Sequence, residues 1–223
     1  KLSTTEIDES DSKSSMQFEE RAEYFEKLGQ PKEAAEDRRK ALALYEEESK
    51  DRPSREADNL GYMASLCDKL GDSKKALELR AQEMSRFDAL VAKSPKNADT
   101  YHQRALILEP LKKYDLAMSD FAQAMALQPN DNHYLGHHAG CLNYLKRYQQ
   151  ALDECQKGLK KSARQSEFLF LPMAEASQQL GKPEDAIDYA NRRIKLDPTI
   201  GDAYLWRSLA YQKLGKNDLA KRD

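Results

Sequence analysis

An eight-residue phrase recurs along the chain with few changes. It reads KLGQPKEA from residue 27, KLGDSKKA from 69, QLGKPEDA from 179 and KLGKNDLA from 213. A catalytic loop normally occurs once in a chain, whereas a recurring phrase indicates a structural repeat. When the second residue of each Leu-Gly pair, or its equivalent, is taken as an anchor, neighbouring anchors are 42, 41, 34, 35 and 34 residues apart. The anchors are Gly29, Gly71, Lys112, Lys146, Gly181 and Gly215.

Small residues occupy fixed positions around these anchors. Five residues after each anchor stands an alanine, and seven residues before it stands a second small residue. The first set is Ala34, Ala76, Ala117, Ala151, Ala186 and Ala220, and the second set is Ala22, Ala64, Ala105, Ala139, Ala174 and Ser208. Because small side chains let two helices approach closely, this pairing predicts a helical hairpin in every repeat.

The residues before each anchor fit a helix that ends there. Tyr101, Ala105 and Leu108 have helical spacing, and glycine at the anchor suits the left-handed cap that ends many helices. At Lys112 and Lys146 we expect a modified turn or a cost of about 1 kcal/mol, because a side chain disfavours that conformation. The sequence therefore predicts an all-α chain.

The repeat resembles the tetratricopeptide repeat (TPR), a helix-turn-helix unit of about 34 residues with small and aromatic residues at set positions and a terminal proline. The best-matching unit contains Tyr101, Ala105, Leu108, Ala117, Phe121, Ala124 and Pro129, and the last complete unit contains Phe170, Ala174, Leu180, Gly181, Ala186 and Pro198. The resemblance covers residues 15–223. It implies a right-handed superhelical solenoid of antiparallel helix-turn-helix repeats, in which the first helix of each repeat lines a concave groove.

Repeat boundaries follow from the anchors. We expect a disordered, polar leader at residues 1–14 and repeats at 15–56, 57–97, 98–131, 132–166, 167–200 and 201–223, the last one incomplete. The first two repeats are longer than the others, so their second helices should extend by about two turns. Pro172 falls within a first helix, where we expect a kink or a late helix start. Because the chain starts at Lys1 and stops at Asp223 within a second helix, we expect the parent protein to extend further.

The composition argues against several functions. A net charge of −2 gives no basic surface for nucleic acid. The longest apolar stretch, FLFLPMA at 168–174, is too short for membrane insertion. Three cysteines without a CxxC pair argue against a disulfide framework and favour the cytoplasm, but an export peptide upstream of Lys1 would be out of view, so the localisation stays open.

The chain carries no motif of a known catalytic or cofactor site. GxxxxGK(S/T), GxSxG, HExxH and GxGxxG are all missing. Its 38 carboxylates are typical of solvated helix faces, where they pair with neighbouring cations. We therefore expect neither an enzyme nor a cofactor.

All four histidines lie between residues 102 and 138. The spacing of His133, Gly136, His137 and Gly140 places them on one helix face. The TPR resemblance places that face, and His102 on the preceding first helix, on the inner wall of the groove. The two glycines cost about 1 kcal/mol each relative to alanine. Either a partner lies against the smooth floor that they leave, or a neighbouring helix approaches closely there.

His102, His133 and His137 also allow a metal site. Histidines four residues apart on a helix form a ligand pair, and His102 would be the third ligand. No carboxylate or thiol can be assigned as a fourth ligand. This site is an alternative to partner binding.

Inner-face positions become mainly apolar in the later repeats. The resemblance places Asn143, Phe168, Leu171, Glu175, Leu205, Trp206 and Leu209 on the concave face. One interpretation is an anchor pocket for a peptide or helix, because aromatic side chains provide much of the binding energy at interfaces. The other is a face covered by a capping helix or by a neighbouring chain.

These features predict a non-catalytic scaffold that binds a peptide or helix of an unidentified partner protein in its concave groove. The alternatives are a metal-binding or enzyme-associated module that uses the three histidines, and the targeting arm of a larger protein. In some TPR proteins a basic set of inner-face residues clamps the C-terminal carboxylate of a chaperone. Such a clamp is not expected here, because the matching positions are acidic or neutral. They are Glu19, Glu23, Tyr62, Asp99 and Gln103.

Overall fold

The chain folds into paired helices. The computed structural model describes residues 14–51 and 56–223, and within these ranges it contains helices and turns but no strand. In chain order the helices are α1 (Ser15–Lys27), α2 (Pro31–Asp51), α3 (Glu56–Lys69), α4 (Ser73–Lys93), α5 (Ala98–Leu108), α6 (Tyr114–Leu127), α7 (Asn132–Tyr144), α8 (Tyr148–Lys161), α9 (Glu167–Gln179), α10 (Pro183–Leu196), α11 (Gly201–Lys213) and α12 (Asn217–Ala220). Consecutive helices pack as helix-turn-helix hairpins. The predicted all-α repeat fold is confirmed.

The chain divides into two compact units, Lys1–Arg86 and Phe87–Asp223, and the boundary falls inside α4. In the first unit, α1 packs on α2 and α2 packs on α3. The core of that unit is built from buried side chains such as Tyr45 and Leu66.

In the second unit, successive hairpins bury a continuous layer of side chains. Leu142, Leu152 and Leu169 come from α7, α8 and α9 and belong to one core cluster. In addition, α7 contacts α9 and α9 contacts α11. The first helices of the later hairpins are therefore neighbours, and their free faces form one surface.

The small residues at fixed offsets lie in the packed interior. Every alanine of the two sets is at most 8% exposed. Ser208, which replaces alanine in the last hairpin, donates its hydroxyl to the carbonyl oxygen of Ala220 at 2.8 Å. The close helix packing inferred from these positions is confirmed.

All the hairpin turns have the same backbone geometry. The glycine anchors have φ between 70° and 83°. Lys112 and Lys146 adopt the same left-handed conformation, with φ of 57° and 60°. In each hairpin the amide that follows the anchor donates to the carbonyl five residues earlier, at 2.8 to 3.0 Å. The turn is therefore not modified at the two lysines, which adopt a conformation that disfavours a side chain.

Two second helices are longer than the others. Helices α2 and α4 have 21 residues each, whereas α6, α8 and α10 have 14. This confirms the predicted extension in the first two repeats. Even so, no helix in the described ranges is long and apolar enough to cross a bilayer.

Helix α9 contains Pro172 in its interior. The helix begins at Glu167, so it does not start late. Pro172 has no amide hydrogen to donate to the carbonyl of Phe168, four residues earlier. That carbonyl oxygen is thus left without its usual helical donor, and α7 packs against it, as described below.

An arginine–aspartate pair recurs in several hairpins and was not predicted. Each arginine lies eight residues before an anchor and each aspartate eight residues after it. The pairs are Arg21–Asp37, Arg104–Asp120 and Arg207–Asp223. Each arginine donates through two nitrogens to both carboxylate oxygens, an arrangement that ties the two helices of a hairpin together. The constant offset of the two charges was a usable signal in the sequence.

The first described residue, Ser14, stands directly before the first helix. Residues 1–13 of the expected leader lie outside the described residues. Ser14 caps α1, because its side chain accepts from the amide of Gln17 and its own amide donates to the Gln17 side chain. The boundaries of the six repeats, and the disordered leader, remain predictions.

Candidate functional site

A groove crosses the first helices of the second unit. It has a volume of 580 Å³ and lies over α7, α9 and α11, with contributions from the end of α5, from α10 and from the turn before α11. The residues that define the groove are Glu109, Gly136, His137, Gly140, Tyr144, Glu167, Phe168, Leu171, Pro172, Glu175, Arg193, Ile200, Asp202, Leu205 and Trp206. This volume falls within the range of about 300–1,000 Å³ that is usual for binding pockets.

Most residues predicted for the inner face line this groove. They are Gly136, His137, Gly140, Phe168, Leu171, Glu175, Leu205 and Trp206. His102, His133, Asn143 and Leu209 lie outside its wall. The structure therefore brings side chains from three repeats together, but it gives the other four residues different environments.

The two glycines of α7 have different roles. A Cβ on Gly136 would stand 2.6 Å from the carbonyl oxygen of Phe168, so this glycine allows α9 to approach. A Cβ on Gly140 would meet nothing within 4 Å. Close helix packing therefore explains Gly136, whereas Gly140 leaves an open floor in the groove.

Asn143 anchors α7 to α9. It is 2% exposed, and its Nδ2 donates to the carbonyl oxygen of Pro172 at 2.9 Å and to Oε2 of Glu175 at 3.1 Å. Asn143 was predicted to line the groove, but it is buried between α7 and α9 and lies outside the groove wall. Asn143 holds the Glu175 carboxylate in place at the edge of the groove.

Carboxylates outnumber cations in the groove. Glu109, Glu167, Glu175 and Asp202 contribute the carboxylates, and Arg193 contributes a guanidinium. Burial raises the pKa of Glu109 and of Glu175 above the ordinary value. At neutral pH the groove is an acidic surface around an aromatic and aliphatic floor.

Three histidines meet beside the groove. One ring nitrogen from each of His102, His133 and His137 lies within 4.8 Å of those of the other two. His102 comes from α5 and is 4% exposed, while His133 and His137 come from successive turns of α7. Burial lowers the pKa of all three, to about 4 for His102 and His137. His138 lies apart, with its Nδ1 3.0 Å from Oε2 of Glu154.

Comparisons with known proteins identify the repeat. Residues 98–131, which contain α5 and α6, match the family model of the tetratricopeptide repeat. A tetratricopeptide repeat protein from Parabacteroides merdae is 18% identical, with a TM-score of 0.54, and the match covers 95% of this chain and 77% of the other. Residues 98–131 therefore form a tetratricopeptide repeat, and the chain shares the fold of TPR proteins.

Other solved structures share the TPR fold at similarly low identity. TTC0263, a thermophilic TPR protein of Thermus thermophilus, is 16% identical, with a TM-score of 0.57, and the match covers 89% of this chain and all of the other. MamA is 17% identical, with a TM-score of 0.55, and the match covers 69% of this chain and 89% of the other. At these identities the likeness establishes the fold.

Several residues that line the groove were not predicted from the sequence. They are Glu109, Tyr144, Glu167, Pro172, Arg193, Ile200 and Asp202. The spacing contained a signal for two of them, because Asp202 lies three residues before Leu205 and Tyr144 lies four residues after Gly140. Arg193 lies in a second helix and Ile200 in a turn. The spacing of residues in the first helices does not predict residues in these elements.

Proposed function

We propose that this protein is a non-catalytic scaffold and that the groove binds a segment of a partner protein. TPR proteins in general are scaffolds that bind protein partners, and stacked repeats offer the extended surface that this requires. The segment we propose carries an aromatic or aliphatic side chain with lysine or arginine beside it.

Solvent-exposed apolar side chains in the groove support an aromatic or aliphatic side chain in the partner segment. Leu205 is 51% exposed and Phe168 is 38% exposed, and both line the groove together with Trp206. Burying such surface against a partner contributes about 25 cal/mol per Å². Aromatic residues near the centre of an interface commonly dominate its binding energy. The open floor at Gly140 leaves space for an incoming side chain.

The excess of carboxylates in the groove supports a lysine or arginine in the partner segment. It is the observation on which the proposal mainly rests. Among the described residues, no lysine or arginine forms an ion pair with the carboxylates of Glu109, Glu167, Glu175 or Asp202. These carboxylates surround the apolar floor. A lysine or arginine of the partner would balance them, and such complementarity selects partners and speeds association.

A peptide library displayed on phage and selected against the purified protein tests the partner chemistry. We expect the selected peptides to share an aromatic or aliphatic residue next to lysine or arginine. Leu205→Ala should then weaken the binding of a selected peptide by roughly 4- to 12-fold, because the side chain is 51% exposed and a partner would bury about half of the 1.5–3 kcal/mol that a whole leucine side chain contributes. Leu196→Ala is the matched control, since Leu196 is 58% exposed and lies outside the groove, and it should bind like the wild type.

Charge reversal provides a second matched pair. Asp202 and Asp218 both lie in the first turn of a helix, but only Asp202 lines the groove. Asp202→Lys should weaken the binding of the selected peptide by at least about tenfold at low salt, whereas Asp218→Lys should leave its binding unchanged. Selected peptides without basic residues, or equal losses in the two variants of either pair, would contradict the proposal. A dimer in sedimentation that Leu205→Ala dissociates would instead show that a second copy covers the groove.

A further inference from the structure

The imidazoles of His102, His133 and His137 converge on one point beside the groove. Their ring centroids are 4.5 Å apart for His102 and His133, 5.1 Å for His102 and His137, and 5.2 Å for His133 and His137. We propose that these three histidines bind a single divalent transition-metal ion, and that Zn²⁺ suits them best. The site shares His137 and Glu109 with the groove, but the proposal does not rest on partner binding there.

The distances allow such a site with small side-chain movements. The three candidate nitrogens already lie within 4.8 Å of one another. Zn²⁺ bonds imidazole nitrogen at about 2.0–2.1 Å in a tetrahedral arrangement, which sets the nitrogens roughly 3.4 Å apart. The rings must therefore close by up to about 1.4 Å. His133 and His137 are half-buried rather than enclosed, so rotation of their side chains can supply this movement.

A buried atom without a partner is the second, independent observation. His102 is 4% exposed, and its Nε2 is buried without a hydrogen-bond partner in the described structure. A buried polar atom left unsatisfied costs about 1–3 kcal/mol. Such atoms call for an explanation, and an unseen ion is one of the usual ones. A metal ion would satisfy a nitrogen of this imidazole that the protein leaves unpaired.

The charge around the cluster also favours a cation. The carboxylates of Asp99, Asp131 and Glu167 act on these rings, and their negative charge would stabilise a bound cation.

A fourth carboxylate lies where second-layer partners of metal-binding histidines usually stand. Oε2 of Glu109 is 3.8 Å from Nδ1 of His137. A carboxylate in that position orients the imidazole and makes it a stronger ligand. A small rotation of either side chain would bring the pair within hydrogen-bonding distance.

The ligand set selects the class of metal. Three imidazole nitrogens without a thiolate suit Zn²⁺, Cu²⁺ and Ni²⁺, whereas Mg²⁺ and Ca²⁺ prefer oxygen ligands. Three protein ligands leave one position for water or for a group of a partner. The ion would join α5 to α7 and thereby link two successive hairpins. Since it binds the folded state, it would raise the stability of the second unit.

Titration of tag-free protein, first stripped with a chelator, tests the site. We expect one Zn²⁺ per chain in isothermal titration calorimetry, the visible absorption of tetrahedral Co²⁺ when Co²⁺ is used instead, and a higher unfolding temperature with Zn²⁺. His133→Gln should weaken Zn²⁺ binding by more than about 100-fold, because loss of a second-layer partner alone costs 10–100-fold. Glu109→Gln should weaken it by about 10–100-fold.

The fourth histidine provides the control. His138→Gln keeps a hydrogen-bonding group beside Glu154 and should bind Zn²⁺ as the wild type does. Circular dichroism must show that each variant folds, and the Co²⁺ spectrum of the wild type reports histidine coordination without any variant. Absence of stoichiometric binding, unchanged affinity in folded His133→Gln, or equal loss in folded His138→Gln would overturn the proposal.

Discussion

Two substitutions one helical turn apart in α7 should have opposite effects on stability. Gly136→Ala and Gly140→Ala add the same methyl group to the same helix. At Gly136 the new Cβ would stand 2.6 Å from the carbonyl oxygen and 2.9 Å from the Cβ of Phe168. At Gly140 nothing lies within 4 Å. The comparison therefore isolates the close approach of α9 to α7.

The expected magnitudes follow from two opposing terms. Alanine is favoured over glycine in a helix interior by about 1 kcal/mol, and this gain is common to both sites. At Gly136 the contact is roughly 0.8 Å shorter than ordinary van der Waals contact, which begins at 3.4 Å, and the obstacle is backbone that cannot rotate away. Overpacking of this kind costs about 1–3 kcal/mol. We expect Gly140→Ala to stabilise by about 1 kcal/mol and Gly136→Ala to be about 2 kcal/mol less stable than Gly140→Ala.

Urea unfolding followed by circular dichroism measures this difference. A gap of about 2 kcal/mol corresponds to roughly 4–8 °C in the thermal midpoint of a domain of this size. The denaturant slope must be the same for both variants, so that the same transition is compared. If Gly136→Ala is as stable as Gly140→Ala, the proposed contact between Gly136 and the Phe168 carbonyl does not limit the packing of these helices.

Three further predictions follow from the turn, the buried amide and the groove carboxylates. Lys146→Gly should stabilise the protein by about 1 kcal/mol and Gly181→Lys should destabilise it by a similar amount in urea unfolding, because both positions have positive φ. Asn143→Ala should cost about 1–3 kcal/mol in the same assay, since it leaves the Pro172 carbonyl buried without its donor. Burial raises the pKa of Glu175, so its carboxylate gains a proton as the pH falls through that raised value. Binding of a selected basic peptide, measured by fluorescence anisotropy, should therefore weaken as the pH is lowered through that value, and Glu175→Gln should reduce that dependence.

The fold was predictable because close helix packing requires small residues at fixed positions in the sequence. Two helices can approach only where small residues face each other, and Ala105 and Ala117 occur at the positions that this requires, as do their equivalents in the other repeats. The left-handed turn could be predicted from glycine. The sequence did not show that Lys112 and Lys146 adopt the same left-handed turn as the glycines. At these two positions the packing of the hairpin imposes a conformation that is strained for a lysine.

The groove was only partly predictable, because a helix face is wide. Gly136 and Asn143 are seven residues apart and share the side of α7 that packs on α9. His137, Gly140 and Tyr144 lie on the adjacent side, which lines the groove. A shift of one residue turns a side chain by about 100°, and spacing alone does not say which side a neighbouring helix covers.

The convergence of the three histidines was visible in part from spacing. His133 and His137 are four residues apart, which places both on one face of α7. Their distance from His102 depends on how α7 packs beside the preceding hairpin, and the sequence pattern gives no such distance. The unpaired Nε2 of His102 is likewise a property of the packed structure.

Photo-crosslinking with a selected peptide would show which surface of the protein binds the partner segment. The peptide would carry a photoreactive group in place of its aromatic or aliphatic anchor, and mass spectrometry would locate the crosslinked residues. We expect crosslinks to the apolar part of the groove, which is formed by Phe168, Leu171, Leu205 and Trp206. Crosslinks confined to second helices that do not line the groove, such as α6 or α8, would show that a different surface binds the partner and would contradict this proposal.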